Sequence, residues 1–191
     1  MRLAILAFSR QGCRTALRVA RVLEPVAEER RLFTMAQYAG EGEFQAIAPP
    51  VSRFTGPLFA WADALVFVGA CGIAVRAIAP YVRDKRTDPA VLVVDELGGF
   101  VISLLSGHIG GANDLTERMA EALGATAVVT TATDVNRKFS VDAWAARNGC
   151  AISSMGVAKA VSAAILEGPV PLCSDFPIAT ALPPGTAAGE D

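Results

Sequence analysis

Histidine is nearly missing from this chain. His108 is the only one in 191 residues. The four cysteines, Cys13, Cys71, Cys150 and Cys173, never fall into a C-x-x-C spacing. Zinc and thioredoxin-like chemistry therefore lack support, and no protein-held metal is expected. The thiols are expected to be buried and free in a reducing compartment. Charge is also sparse, at 19% of residues, too little for a disordered chain. The net charge of −2 does not indicate whole-molecule attraction to nucleic acid or to an anionic membrane surface, and leaves room only for a local basic patch. There is no run of about 18 apolar residues to span a bilayer, and the apolar start, Arg2–Phe8, is too short for a secretion signal. A cytoplasmic location is expected.

What is present is apolar material, 52% of the chain, in short runs punctuated by glycine and proline. Leu3–Phe8 and Ala64–Gly69 read as strands buried on both faces. A helix with Ala16, Val19, Ala20 and Leu23 on one face follows the turn Ser9–Gly12 and stops near Pro25. Arg31–Met35 reads as a short strand, Gly40–Pro57 mostly as loop, Phe54–Ala64 as a helix, and Ile73–Val82 as a helix ending near Pro80. Val91–Asp95 and Phe100–Leu105 form a hairpin across Glu96–Gly99, with Asp95 and Glu96 serving its turn. Asn113 or Asp114 is expected to cap a helix whose inner face carries Leu115, Met119, Ala122 and Leu123. Ala127–Thr131 reads as a strand, and Val141–Arg147 and Val157–Leu166 as helices. Val170–Cys173 is a candidate strand, and Leu182–Asp191 reads as a disordered tail. The expectation is an α/β domain over residues 1–149, layered, with a largely parallel sheet, one hairpin and helices on both faces. Residues 150–191 form an appendage or the start of another module.

In such sheets ligands bind beyond the carboxyl ends of the strands. The segments that follow strands, Ser9–Gly12, Gly69–Gly72, Ser106–Asn113 and Thr131–Asp134, are thus expected to converge on one crevice. The richest is Ser106-Gly107-His108-Ile109-Gly110-Gly111-Ala112-Asn113, where three glycines surround the lone imidazole just before a helix. Such a backbone lets a ligand approach closely, and a helix start offers free N–H donors. A tight strand-to-helix turn by itself requires one or two of those glycines. Neither G-x-x-x-x-G-K-[ST] nor G-x-G-x-x-G occurs, which argues against a nucleotide site.

Four blocks occur in order: Gly69-Ala70-Cys71-Gly72-Ile73-Ala74-Val75-Arg76-Ala77-Ile78-Ala79-Pro80; Lys85-Arg86-Thr87-Asp88-Pro89-Ala90-Val91 with Asp95-Glu96; Ile102–Asn113; and Thr130-Thr131-Ala132-Thr133-Asp134 with Asp142 downstream. Together they resemble the N-terminal region of the CbiG proteins of anaerobic cobalamin biosynthesis, the cobalt-precorrin-5A hydrolases. Ala158-Lys159-Ala160-Val161 and Ile165-Leu166-Glu167-Gly168 resemble the start of that family's middle segment. Family members usually continue into a CobE-like C-terminal domain, before which this chain stops. Either that domain is a separate CobE-like protein, which is then a candidate partner, or the chain is a truncated or naturally short version; a homodimer is compatible with the chain.

The resemblance implies hydrolytic opening of the ring-A δ-lactone of cobalt-precorrin-5A and release of C20 with its methyl group as acetaldehyde, giving cobalt-precorrin-5B. No cofactor is implied, because cobalt arrives with the substrate. The alternative is a non-catalytic corrinoid-binding module that needs its C-terminal partner. His108 is the candidate base. Its chemistry also allows a hydrogen bond to a substrate carboxylate or an axial approach to cobalt. Asp134 is the candidate for orienting His108. Ser106, Gly107, Gly110, Gly111 and Asn113 are candidate donors. Gly72, Arg76, Lys85, Thr131 and Thr133 are candidate substrate contacts, with Arg76 able to grip a carboxylate bidentately.

Overall fold

The computed structural model describes residues 1–40 and 42–189. They fall into two compact units, Met1–Val128 and Val129–Asp191.

The first unit is built on a seven-stranded sheet of order β3-β2-β1-β4-β5-β6-β7. Its strands are β1 Arg2–Ala7, β2 Glu29–Met35, β3 Phe44–Ile47, β4 Ala64–Val68, β5 Ala90–Val94, β6 Phe100–Leu105 and β7 Thr126–Val128. The first five are mutually parallel. β6 runs antiparallel to β5 across the hairpin, and β7 runs parallel to β6.

Strands β1, β4 and β5 are apolar at every buried position because both faces are covered. Alternate residues point opposite ways. Leu3, Ile5, Val66, Leu92 and Val94 enter one core, together with Ala16, Val19 and Leu23 of α1 (Arg10–Leu23) and Leu115 and Met119 of α4 (Ala112–Leu123). Ala4, Leu6, Leu65, Phe67, Val91 and Val93 enter the other, against Leu58 and Phe59 of α2 (Val51–Trp61) and Ala74 and Ile78 of α3 (Cys71–Ile78). The expected α/β architecture, largely parallel with one hairpin and helices on both faces, is what the structure contains.

Several local expectations need correction. Gly40–Pro57 is not mostly loop: it contains β3 and the first turns of α2, which begins after Pro50 and carries Pro57 inside it. The helix after β4 begins at Cys71 rather than Ile73 and ends at Ile78. On α4 the buried residue beside Met119 is Ala120, and Ala122 is exposed. Only Cys13 is a buried thiol; Cys71, Cys150 and Cys173 are exposed. The reason is positional: Cys13 lies on the inner face of α1, whereas Cys71 opens α3 at the sheet rim.

The second unit contains α5 (Ala132–Val135), α6 (Val141–Arg147), α7 (Met155–Glu167) and a parallel pair, β8 (Val170–Leu172) with β9 (Thr186–Ala188). The segment after Leu182 is thus not a structureless tail as far as residue 189; residues 190 and 191 lie outside the described residues. Ile165 is buried, and the φ of +90° at Gly185 brings that backbone over it.

Candidate active site

The direction of β6 decides where the histidine loop sits. In the parallel core the carboxyl ends of β1 and β4 form one rim, where Ser9 and Gly69 lie. The hairpin turn reaches the same rim: the Ser9 hydroxyl donates to the Glu96 carboxylate at 2.6 Å, and Gly69 N–H donates to the Val94 carbonyl at 2.8 Å. β6 then runs back, and Leu105 pairs with Val91 at the start of β5. Five strand residues at about 3.3 Å each separate the two rims by roughly 15 Å. The segment Ser106–Asn113 therefore lies at the rim opposite Ser9–Gly12 and Gly69–Gly72, and these segments do not converge as expected.

At its own rim the histidine loop is tightly built. The Ser106 hydroxyl donates to the Asp88 carbonyl at 3.0 Å, which fastens the loop to the turn preceding β5. Ser106 is buried and has a left-handed backbone, with φ of +59°, a conformation costly for a residue with a Cβ. Ala112 N–H donates to the Ser106 carbonyl, and Asn113 N–H to that of Gly107. The carbonyl of His108 itself accepts the N–H of Gly111 at 3.0 Å. Gly111, not Asn113 or Asp114, occupies the cap position of α4, with φ of +81° and no side-chain capping bond. The buried Asn113 side chain accepts the Ser103 hydroxyl at 2.6 Å instead.

Packing accounts for two of the three glycines. A Cβ on Gly107 would lie 2.6 Å from Asn113 Oδ1, and one on Gly110 would lie 2.5 Å from Ser106 Cβ and 2.8 Å from its carbonyl oxygen. Gly111 has open space, and its need is conformational.

The segment before β5 shares this rim. Asp88, buried, accepts the backbone N–H groups of Arg83 at 2.8 Å and Asp84 at 3.1 Å, closing a turn that carries Lys85. Lys85, Ser106, Gly107, His108, Gly110, Gly111 and Asn113 are thus brought to one rim. Beside them is a cleft of about 480 Å³ to which Gly110, Asp88, Tyr81 and Phe59 contribute.

Gly72 and Arg76 are not brought to that rim. Gly72 opens α3 at the opposite one, and the Arg76 guanidinium turns back to donate to the Gly72 carbonyl at 3.2 Å. Thr131, Thr133 and Asp134 lie in the second unit, where Thr131 precedes α5 and its hydroxyl hydrogen-bonds the Asp134 carboxylate. Of the hairpin carboxylates, Asp95 serves its turn by accepting Leu97 and Phe100 N–H groups, while Glu96 holds Ser9. Reading the residues alone misses the cleft formed by α2 and the Tyr81–Pro89 segment. The strand-direction signal was available, since a hairpin between β5 and β6 already reverses the end from which the histidine loop leaves.

Residues 53–134, which include the histidine loop and both cleft walls, match the family described as Cobalamin synthesis G N-terminal. The chain belongs to the CbiG family through this region. It is 56% identical over 95 residues to the cobalt-precorrin-5A hydrolase of Salmonella typhimurium (strain LT2), covering 50% of this chain and 27% of that protein. It is 36% identical over 168 residues to the cobalt-precorrin-5A hydrolase of Priestia megaterium, covering 86% of this chain and 44% of that protein. The chain therefore spans less than half the length of the curated relatives it matches. A solved cobalamin biosynthesis protein G homolog from Sulfolobus solfataricus has the same fold, with a TM-score of 0.56 at 21% identity, covering 97% of this chain and 52% of that one.

No helix among the described residues is long and apolar enough to cross a membrane. Among them no group of three or more His, Cys, Asp or Glu side chains is disposed to hold a metal ion.

Proposed function

We propose that this chain supplies the N-terminal part of a cobalt-precorrin-5A hydrolase. The observation that carries the reading is its 56% identity over 95 residues to a protein of that name. The substrate is a cobalt-bound, carboxylate-rich macrocycle, and its ring-A lactone is the bond to be hydrolysed. Water adds to the lactone carbonyl carbon while His108 accepts the water proton. The ring C–O bond breaks, leaving a carboxylate on one side and a hydroxyl on the other. The hydroxyl left on C20 then gives up its proton, and its C–O bond becomes C=O as the bond from C20 to the macrocycle breaks. The electron pair passes to the macrocycle carbon, which takes up a proton, and C20 with its methyl group departs as acetaldehyde, leaving cobalt-precorrin-5B. The oxyanion formed in the first step needs preorganised donors, for which the backbone around Gly107 and Gly110 is the candidate. The bonds holding Ser106 to Asp88 and Asn113 to Ser103 keep that backbone rigid. Cobalt enters as part of the substrate, and the reading requires no cofactor.

The test is release of acetaldehyde from cobalt-precorrin-5A by the purified chain, with and without a CobE-like protein. His108→Ala is expected to lower kcat by about 10²–10⁴-fold and to leave KM nearly unchanged. A raised KM with unaltered kcat would assign His108 to binding. Turnover seen only when the CobE-like protein is added would favour a corrinoid-binding module that works with a partner. Absence of turnover in both arms would overturn the hydrolase reading.

A further inference from the structure

The cleft beside Gly110 has one preformed apolar wall. A Cβ on Gly56 of α2 would lie 2.7 Å from Tyr81 Cζ, so only glycine lets that ring lie against the helix. The Tyr81 hydroxyl donates to the Ser52 carbonyl at 2.9 Å, and its ring sits 6.2 Å from that of Phe59. The wall is thus fixed before any ligand arrives, which lowers the ordering cost of binding.

The acidic groups at the cleft are already satisfied by the chain. The Asp63 carboxylate receives the Arg2 guanidinium at 2.9 Å and the Arg2 backbone N–H at 2.7 Å. Asp88 receives the N–H groups of Arg83 and Asp84. Arg83 is different. It lines the cleft and is exposed, and its guanidinium has no ion-pair partner among the described residues. Its backbone, pinned by Asp88, fixes the root of the side chain.

We propose that this cleft receives the carboxylate-bearing edge of the macrocycle, with Arg83 as the cation that binds the carboxylate and Tyr81 and Phe59 as the surface for the ring's apolar margin. The proposal rests on the corrinoid reading above and adds a specificity-determining residue to it. A volume of about 480 Å³ lies low in the range of roughly 300–1,000 Å³ typical of small-molecule pockets. It suits an edge and its arms rather than the whole ring. Gly110 borders the same cleft, so an arm held there leaves the rest of the ring at the His108 loop.

The test is equilibrium binding of a cobalt corrinoid with all its side-chain carboxylates free, and of the same macrocycle fully methyl-esterified. The full chain is compared with Arg83→Ala, Arg83→Lys and Arg86→Ala. Arg86 is an exposed neighbour paired with Asp84, so its variant controls for general charge. The wild-type chain is expected to bind the free acid at least about tenfold more tightly than the ester. Arg83→Ala is expected to lose about tenfold or more for the free acid only. Arg83→Lys is expected to regain part of that loss, and Arg86→Ala to match the wild type. Arg83 contributes only its backbone N–H to the turn, so its variants keep the fold, checked by circular dichroism. Unchanged affinity in Arg83→Ala, or equal affinity of the wild type for acid and ester, overturns the cleft assignment and leaves the hydrolase reading standing. No binding of either probe by the wild type overturns the corrinoid reading itself.

Discussion

The hydroxyl of Ser106 donates to the backbone carbonyl of Asp88 at 3.0 Å, joining a residue after β6 to one just before β5. Both residues are buried. Loss of this bond leaves a buried carbonyl without its partner, at a cost of about 1–3 kcal/mol. Ser106→Ala is therefore expected to lower unfolding free energy by about that amount in urea titrations. Ser106→Gly removes the same bond but also relieves the left-handed backbone, worth about 1–2 kcal/mol. It should be at least as stable as the alanine variant. A markedly less stable glycine variant would contradict the strain at this position.

The two glycines that follow His108 should respond differently to alanine. At Gly110 the new methyl meets Ser106 Cβ and the Ser106 carbonyl oxygen, and overpacking against backbone costs about 1–3 kcal/mol. At Gly111 nothing lies within 4 Å, but φ is +81°, so the cost is conformational, about 1–2 kcal/mol. Asparagine tolerates that backbone, so Gly111→Asn should be milder than Gly111→Ala. No such rescue is expected at Gly110. Urea midpoints of the four variants, Gly110→Ala, Gly110→Asn, Gly111→Ala and Gly111→Asn, check the distinction.

The Arg2–Asp63 pair should leave a mark on acid stability. Hydrogen bonds from the Arg2 side chain, then from its backbone, hold the Asp63 carboxyl below its ordinary range. A carboxylate with a depressed folded pKa stabilises the fold above its unfolded value and loses that contribution as pH falls through the folded one. The stability advantage of the wild type over Asp63→Asn is therefore expected to be complete at neutral pH and to shrink below about pH 4. Both side chains are 46% exposed, so the advantage should also fall in high salt. Chemical denaturation of both proteins between pH 7 and pH 3 tests this.

The central strands were legible because burial on both faces makes them unbroken apolar runs, as in Ala64–Val68. β3 was not, since an edge strand of four residues with Gln45 and Ala46 exposed carries no usable period. The start of α2 was hidden by its prolines: Pro50 precedes it and Pro57 lies inside it, both ordinarily marks of a break. In the site, the composition of the histidine loop was readable but its neighbours were not. The Ser9–Glu96 and Ser106–Asp88 bonds join residues 87 and 18 positions apart, and no local pattern announces either. Three clustered glycines suggest a ligand, whereas contacts inside the turn account for Gly107 and Gly110, and a left-handed backbone accounts for Gly111.

The hairpin turn closed by Asp95 acts as a ruler for the site at the other end of the sheet. β6 is six residues long, so the turn governs the placement of His108 from about 20 Å away. Adding or removing one residue there would exchange the inward and outward positions along β6. The imidazole's surroundings would change without any alteration in the loop that carries it.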